Sequence, residues 1–340
     1  MLITQKVSNE VLPFIKSNIK PGSNIILGCS GGADSTALAI IMSNVVSKYS
    51  LNIELHYVNH KLRDDKSILK EKEFVSQLAK KLNFSYSYSD ISKNEFDKLH
   101  DSSLENTARI LRYQKLSINA QKFNSNIILL GHTANDSAET ILFNIIRGSG
   151  LKGIEGIRKI IIKKINDDQF TILRPLIDIK KNITEKICTE NYTNPIYDKS
   201  NDDYKYTRNK IRKKIIPELE DINPKVINAL IKLGEIAKIK NCSEEGFINY
   251  FYSNLVSENN NNFKIKDLIV FKILPESIRK EIIKIIIEKN SNLIQINKEH
   301  IYKIDELLCS DGNKYYDLPN KVKFVKEYNI ANFEKNVSVS

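Results

Sequence analysis

The chain has 340 residues, 41% hydrophobic and 27% charged, with 52 Lys+Arg against 41 Asp+Glu; this excludes a disordered or fibrous polymer and suffices for one or two domains with their own cores. Four scattered cysteines (Cys29, Cys188, Cys242 and Cys309) without a C-x-x-C pair exclude a secreted disulfide framework and a cysteine-rich zinc or iron–sulfur site, pointing to a reducing cytoplasm. The apolar runs are far short of a membrane span and residues 1–20 lack a signal-peptide apolar segment, so a cytoplasmic location and no membrane partner are expected.

An apolar run at 24–30 meets a glycine pair and then helical periodicity at 34–46, which predicts strand, tight turn and helix. A second strand is expected at 53–59, a charged helix over about 64–82 and an alternating third strand at 84–89. Ser102 and Glu105 form a capping-box signature that opens a helix through about Phe123. A fourth strand at 126–130, a helix at 135–146, a glycine-rich loop at 148–156, a fifth strand at 172–177 interrupted by Pro175 and a helix at 180–190 follow. This alternation predicts an α/β fold: a doubly wound, mainly parallel sheet covered on both faces, with ligands beyond the carboxyl ends of its strands. After Pro217 the alternation stops. Helices are expected at 226–239, 274–288 and 300–308, a loop at 259–262 and short strands at about 315–328, giving domains at 1–215 and 216–340, the second smaller and mainly helical.

Charge follows the same division. Residues 1–215 hold 34 Lys+Arg and 23 Asp+Glu, and the remainder holds 18 of each. The excess thickens at Lys205, Arg208, Lys210, Arg212, Lys213 and Lys214, interleaved with Tyr204 and Tyr206. Such a stretch suits a nucleic-acid backbone, whose counterions it would release; a solvated helix face is the alternative.

Gly28-Cys29-Ser30-Gly31-Gly32-Ala33-Asp34-Ser35 lies where the first strand gives way to its helix. Converging backbone N–H groups and the helix N-terminus make an anion site there. No lysine completes G-x-x-x-x-G-K-[ST], the loop that serves transfer of a terminal phosphoryl group. Asp34 instead sets a carboxylate beside the anion, where it would hold Mg²⁺. A purely structural turn is one alternative. The other is the G-x-S-x-G elbow of a serine hydrolase with Ser30 as nucleophile, against which stands the single preceding strand.

Ser30-Gly31-Gly32-Ala33-Asp34-Ser35 resembles the SGGxDS pyrophosphate-binding motif of the ATP-pyrophosphatase, or PP-loop, group, whose members adenylate a carbonyl oxygen and release pyrophosphate. Further strings select within it: His56-Tyr57-Val58-Asn59-His60-Lys61-Leu62-Arg63, Glu105-Asn106-Thr107-Ala108-Arg109-Ile110-Leu111-Arg112-Tyr113, Gly131-His132-Thr133-Ala134-Asn135-Asp136-Ser137-Ala138-Glu139-Thr140, Arg147-Gly148-Ser149-Gly150-Leu151-Lys152-Gly153, Arg174-Pro175-Leu176, and the run from Asp202 to Arg212. Over roughly residues 20–225 the ordered set resembles the tRNA(Ile)-lysidine synthetase family. Ser137 stands where that family often has Gln.

The resemblance implies a Rossmann-like fold of the adenine nucleotide α-hydrolase type, a catalytic domain at 1–215, and a helical domain at 216–340 for tRNA binding or dimerisation. It implies ATP and Mg²⁺, free L-lysine, and an isoleucine tRNA with a CAU anticodon as partners, and it leaves a homodimer open. The implied reaction adenylates the wobble cytidine and joins lysine to it. Another adenylating enzyme of the group, a cluster-free tRNA thiolase, is the alternative, and a catalytically silent RNA binder is a third reading. ATP falls to Ser30, Gly31, Gly32, Ala33, Asp34, Ser35, His56, Arg112 and His132, with Asp34 as the metal ligand. Arg109 and Arg112, three apart on one helix, share a face; Arg112 and Arg208 are expected at the α-phosphate, against readings as a surface ion pair and a tRNA backbone contact. Asp136 and Glu139, at i and i+3 of a helix start, can hold an ammonium and accept its proton, against a reading as helix capping. Lys205, Arg208 and Arg212 are expected on tRNA. His56 and His60 flank the second strand's end, where either is an adenosine contact or an ordinary hydrogen-bonded histidine.

Overall fold

A computed structural model of the chain describes residues 2–59, 65–99, 104–197, 207–259, 262–291, 297–319 and 322–335. They form two units, 1–237 and 238–340.

In the first unit α1 (Ile3–Asn18), β1 (Asn24–Gly28), α2 (Ala33–Val46), β2 (Asn52–Asn59), α3 (Asp65–Leu82), β3 (Ser85–Asp90), α4 (Lys93–Lys98), α5 (Leu104–Lys122), β4 (Ile127–Leu130), α6 (Ala134–Ile146), β5 (Ile160–Ile165), β6 (Asp168–Leu173) and α7 (Lys181–Glu190) follow in sequence. The strands assemble in the order β3-β2-β1-β4-β6-β5, parallel except for the β5–β6 hairpin at one edge. Alternate residues of each strand go to opposite faces. Ile25 and Leu27 of β1 join Ile127 and Leu129 of β4 in a core with residues of α1, α2, α3 and α7. Ile26, Ile128 and Leu130 face the other way, against Tyr113, Leu116 and Ala120 of α5. Burial on both faces is why β1 and β4 read as continuous apolar runs and not as alternating ones.

The expected doubly wound sheet is present. The expected fifth strand ends earlier than 177, at Leu173, because Pro175 has no N–H to give a ladder. Its antiparallel partner β5, carried by Ile160-Ile161-Ile162, and the helix α1, which contains Pro13, were not anticipated. The Ser102 cap lies outside the described residues.

The boundary also moves. After α8 (Thr207–Lys210) one π turn spans Ile211–Ile215, followed by α9 (Ile216–Ile222) and the long α10 (Val226–Leu255). Ile211, Ile216 and Ile227 pack with Ala134 and Ala138 of α6. That apolar contact ties 216–237 to the α/β unit, so the division falls within α10 and not at 215–216.

The second unit adds β7 (Val256–Asn259), β8 (Asn262–Ile265), α11 (Leu268–Ile273), α12 (Glu276–Ser291), α13 (Lys298–Cys309), β9 (Lys314–Leu318), β10 (Val322–Glu327) and β11 (Ile330–Lys335). Its helices are joined by more sheet than the sequence reading allowed: five antiparallel strands ordered β7-β8-β11-β10-β9. Phe263, Phe324 and Phe333 project from the sheet into a core with Phe271, Ile282, Ile286, Ile304 and Leu308. Arg279 of α12 grips Asp305 of α13 through Nε at 2.7 Å and Nη2 at 3.0 Å. Among the described residues no helix is long and apolar enough to cross a membrane.

Candidate active site

The chain runs outward from β1 to β2 and β3, then returns to β4 on the other side of β1. Strand order therefore reverses between β1 and β4, and the loops after their carboxyl ends flank the crevice where such folds bind ligands. The two loops touch. A Cβ built on Gly131 would lie 2.9 Å from Asp34 O and from Ser35 N and Cα. Gly131 lies outside the positive-φ region, so glycine is required by close approach and not by conformation. Gly131→Ala is expected to lower stability by about 1–3 kcal/mol, because backbone must yield; a thermal melt, with nucleotide affinity alongside, checks this.

The turn after β1 is held by its own side chains. Gly31 sits at φ +81, a left-handed conformation that favours glycine, and Gly32 is the N-cap of α2. Ser35 Oγ accepts from Ser30 N at 3.1 Å and donates to Gly32 O at 3.1 Å. Ser35 thus closes the turn, which leaves the first N–H groups of α2 available to an anion. Ser30 Oγ lies 3.2 Å from Ser35 Oγ, and Gly32 N donates to it at 3.4 Å. None of its partners among the described residues is a histidine, and the hydrolase reading fails on that geometry.

One side of the crevice is acidic. Asp34, at the start of α2, takes a 2.5 Å hydrogen bond from Thr184 Oγ1 of α7. Burial, with Asp136 nearby, raises its carboxyl to about 6, against the Thr184 bond and the charges of Lys181 and Arg212. Asp136 Oδ2 accepts from Thr133 N at 2.7 Å and Thr133 Oγ1 at 2.9 Å, forming the capping box of α6. The capping reading is therefore true of one oxygen. The other, Oδ1, is 3.4 Å from Arg212 Nη2. Glu139, one turn on, is clamped by Arg212 at 2.7 Å from Nε and 2.8 Å from Nη2; burial raises its carboxyl and the clamp opposes that. Arg212, expected on tRNA, is thus turned into the acidic pair, where the apolar seating of the π turn directs it.

The other side is cationic. Arg112 and Arg109 each lie 5.9 Å from the Tyr113 ring centre, and Lys163 lies 4.6 Å from it. The buried Nε of Arg112 has no hydrogen-bond partner among the described residues. Arg174, 1% exposed, donates to His132 Nδ1, Arg158 O and Tyr113 Oη. Burial, together with the charges of Arg112, Arg174 and Arg109, lowers the His132 imidazole to about 3, and Asp136 alone opposes them. Among the described residues no ion pair joins Arg109, Arg112 or Arg174 to a carboxylate, so the group is built to receive an anion.

His56 departs from expectation. It is fully buried, with Nδ1 2.7 Å from Ser87 Oγ and Nε2 3.0 Å from Ser89 Oγ. Both ring nitrogens are satisfied between β2 and β3, so it is an interior histidine and not a pocket wall. Arg208 lies 5.4 Å from the Phe143 ring centre of α6. Lys205 and His60 lie outside the described residues. Sequence reasoning missed three contributors: Thr184, Tyr113 and Arg174. The last two stand in the strings that carry the resemblance and were given no role; Thr184 carries no local signal at all.

A PP-loop domain family model matches residues 3–219. The chain is 30% identical to the tRNA(Ile)-lysidine synthase of Clostridium acetobutylicum over 94% of its own length and 68% of that protein's. It is 29% identical to that of Clostridioides difficile over 93% and 68%, respectively. Among solved structures, the U34-tRNA thiolase NcsA of Methanococcus maripaludis matches with a TM-score of 0.56 at 15% identity, over 69% of this chain and 80% of that one, a likeness of fold.

Proposed function

The chain belongs to the tRNA(Ile)-lysidine synthase family of PP-loop proteins, and from that premise we propose that it joins free L-lysine to C2 of the wobble cytidine of a CAU-anticodon isoleucine tRNA in the cytoplasm, changing decoding from AUG to AUA. The observation that carries this reading is one crevice with two opposite sides: a glycine turn with unopposed guanidiniums for a polyphosphate, and the Asp136 and Glu139 pair for an amine.

The cytosine carbonyl oxygen attacks the α-phosphate of ATP and pyrophosphate leaves; the ε-amine of lysine then attacks C2, AMP leaves with that oxygen, and the amine gives up its proton. The turn at Ser30–Ser35 receives the pyrophosphate. Arg112, with its unused Nε–H, and Arg208 neutralise charge developing at the α-phosphate. Asp34 fits Mg²⁺: burial, and to a lesser degree the charge of Asp136, disfavours its ionised form, and a cation held by its hard oxygens would offset both. The described residues contain no cluster of three or more His, Cys, Asp or Glu for a metal, so phosphate oxygens and water would complete the shell. Bound there, Mg²⁺ supplies charge neutralisation on the phosphates. Asp136 and Glu139 bind the lysine ammonium and take its proton, which requires the Arg212 guanidinium to yield its place. Lys205 and Arg208 meet the tRNA backbone, and the second unit adds to that grip. An unpaired anticodon base enters the crevice at little cost in lost stacking.

The test incubates purified protein with Mg–ATP, labelled lysine and an unmodified CAU isoleucine tRNA transcript, then treats the tRNA with mild alkali, which removes lysine esters and spares lysine bonded to a base. Label retained by wild type and lost in Asp34→Ala is the expected result. AMP and pyrophosphate without label would redirect the reading to another nucleophile, and no ATP turnover by folded protein would end it.

A further inference from the structure

Arg174 follows the last residue of β6 and is buried without a carboxylate partner among the described residues. Each nitrogen of its guanidinium is engaged. Nη1 donates to the Arg158 carbonyl at 2.7 Å, Nη2 to the Tyr113 hydroxyl at 3.1 Å and Nε to His132 Nδ1 at 3.2 Å. A guanidinium has no acceptor and does not lose its proton in a protein. His132 Nδ1 must therefore accept through its lone pair, and the proton of the neutral ring is on Nε2.

Resting on the reading of this crevice as a nucleotide site, we propose that Arg174 is a positioning residue: it locks His132 in the Nε2–H tautomer and makes it a neutral hydrogen-bond donor to a phosphate oxygen, not an acid or a base. Three observations of geometry and the charges around the ring support this. His132 stands at the tip of β4, at the strand-order reversal. The groups acting on it are Arg112 and Arg109 of α5, Arg174 after β6 and, opposing them, Asp136 of α6. Three cations against one carboxylate disfavour a charged imidazole. Arg112 Nε–H, buried and without a partner among the described residues, is a second donor in the same cationic group. Tyr113 completes the device. Its hydroxyl fixes the far end of the Arg174 guanidinium, and its ring carries Lys163, Arg109 and Arg112. Two uncharged-to-anion and cation-to-anion donors so held serve a charge that grows at a phosphate, because no reorganisation is needed when it appears.

Long-range ¹H–¹⁵N correlation of the imidazoles in the full-length, ¹⁵N-labelled protein tests the tautomer directly, with His132 assigned by its loss in His132→Gln. A pyrrole-type Nε2 and a pyridine-type Nδ1 are expected, with a mixture of tautomers in Arg174→Met; an Nδ1–H tautomer in the wild type overturns the proposal. This readout uses no tRNA or lysine, so it stands apart from the assignment of the reaction. Where Arg174→Met does not fold, the His132 variants decide. Gln places an amide N–H close to the position of Nε2–H and cannot exchange a proton near neutral pH. His132→Gln is expected to keep tRNA-dependent pyrophosphate release within about tenfold of wild type with an unchanged pH profile, and His132→Leu to lose about a hundredfold or more. Equal losses in the two variants overturn the proposal.

Discussion

Asp34→Asn is expected to lower pyrophosphate release by about 10³-fold, the scale of removing a principal electrostatic contact at the reacting phosphates, and at the same time to raise the melting temperature of the ligand-free protein. The two effects share one cause. Asp34 titrates near 3.8 without its surroundings and near 6 within them. Between those values the folded protein holds a proton that the unfolded chain has lost, so stability falls as pH rises through the window and stays lower above it. The loss amounts to about 3 kcal/mol at pH 7.5. Asparagine has no charge to desolvate and still accepts from Thr184. The variant should melt higher than wild type at pH 7.5, and the gap should close toward pH 4. Because Mg²⁺ and the proton compete for this carboxylate, the apparent Mg²⁺ affinity in the pyrophosphate assay should weaken as pH falls through about 6. Thermal melts in EDTA at pH 4 and 7.5, with pyrophosphate assays beside them, check both halves; equal melting at pH 7.5 would remove the electrostatic account of Asp34.

At the acidic pair the order of damage reverses between stability and turnover. Arg212→Ala leaves Glu139 buried with its two-point clamp gone, which is expected to cost about 3–5 kcal/mol. Glu139→Gln removes charge from the more buried partner and keeps an oxygen for Arg212, so its cost should be well below that of Arg212→Ala. In turnover Glu139→Gln should be the informative change. Loss of a hydrogen bond to a charged group is worth about 1.5–3 kcal/mol, a rise of roughly 10- to 150-fold in the KM for lysine. Pyrophosphate release that needs no lysine should persist. Denaturant melts of the two variants and the double variant, with lysine titrations of Glu139→Gln, check this; loss of both half-reactions in a folded Glu139→Gln would remove Glu139 from the amine site.

What the sequence disclosed follows the range of the forces involved. β1, β2, β3, β4 and the helices α2, α3 and α5 were legible because burial on one or two faces imposes a short period on neighbouring residues, whereas the short, unburied α4 was not anticipated. The anion turn was legible because Gly31 and Gly32 are a local conformational need, and the Asp136 cap because its partner Thr133 is three residues away. Arg174 meets Tyr113 across 61 residues and Asp34 meets Thr184 across 150. No local pattern encodes such pairs. His56 and Arg212 show the converse case, since a histidine at a strand end and an arginine in a basic run carry the same letters whether they face solvent or an interior partner. Only packing distinguishes them: β3 supplies Ser87 and Ser89, and the π turn anchored by Ile211 aims Arg212 at Glu139.

The guanidiniums of Arg109, Arg112 and Arg174 gather around Tyr113 with no carboxylate salt-bridged to them among the described residues. A folded state with that imbalance is incomplete in the sense of mass action. Any polyanion that enters the crevice and ignores the unfolded chain adds RT ln(1 + [L]/Kd) to the free energy of unfolding, about 2.7 kcal/mol at a hundred times Kd. Occupancy and stability then become one variable. A phosphate ion that fills the crevice would raise the melting temperature, and a nucleotide bound there would raise the folded fraction of the protein.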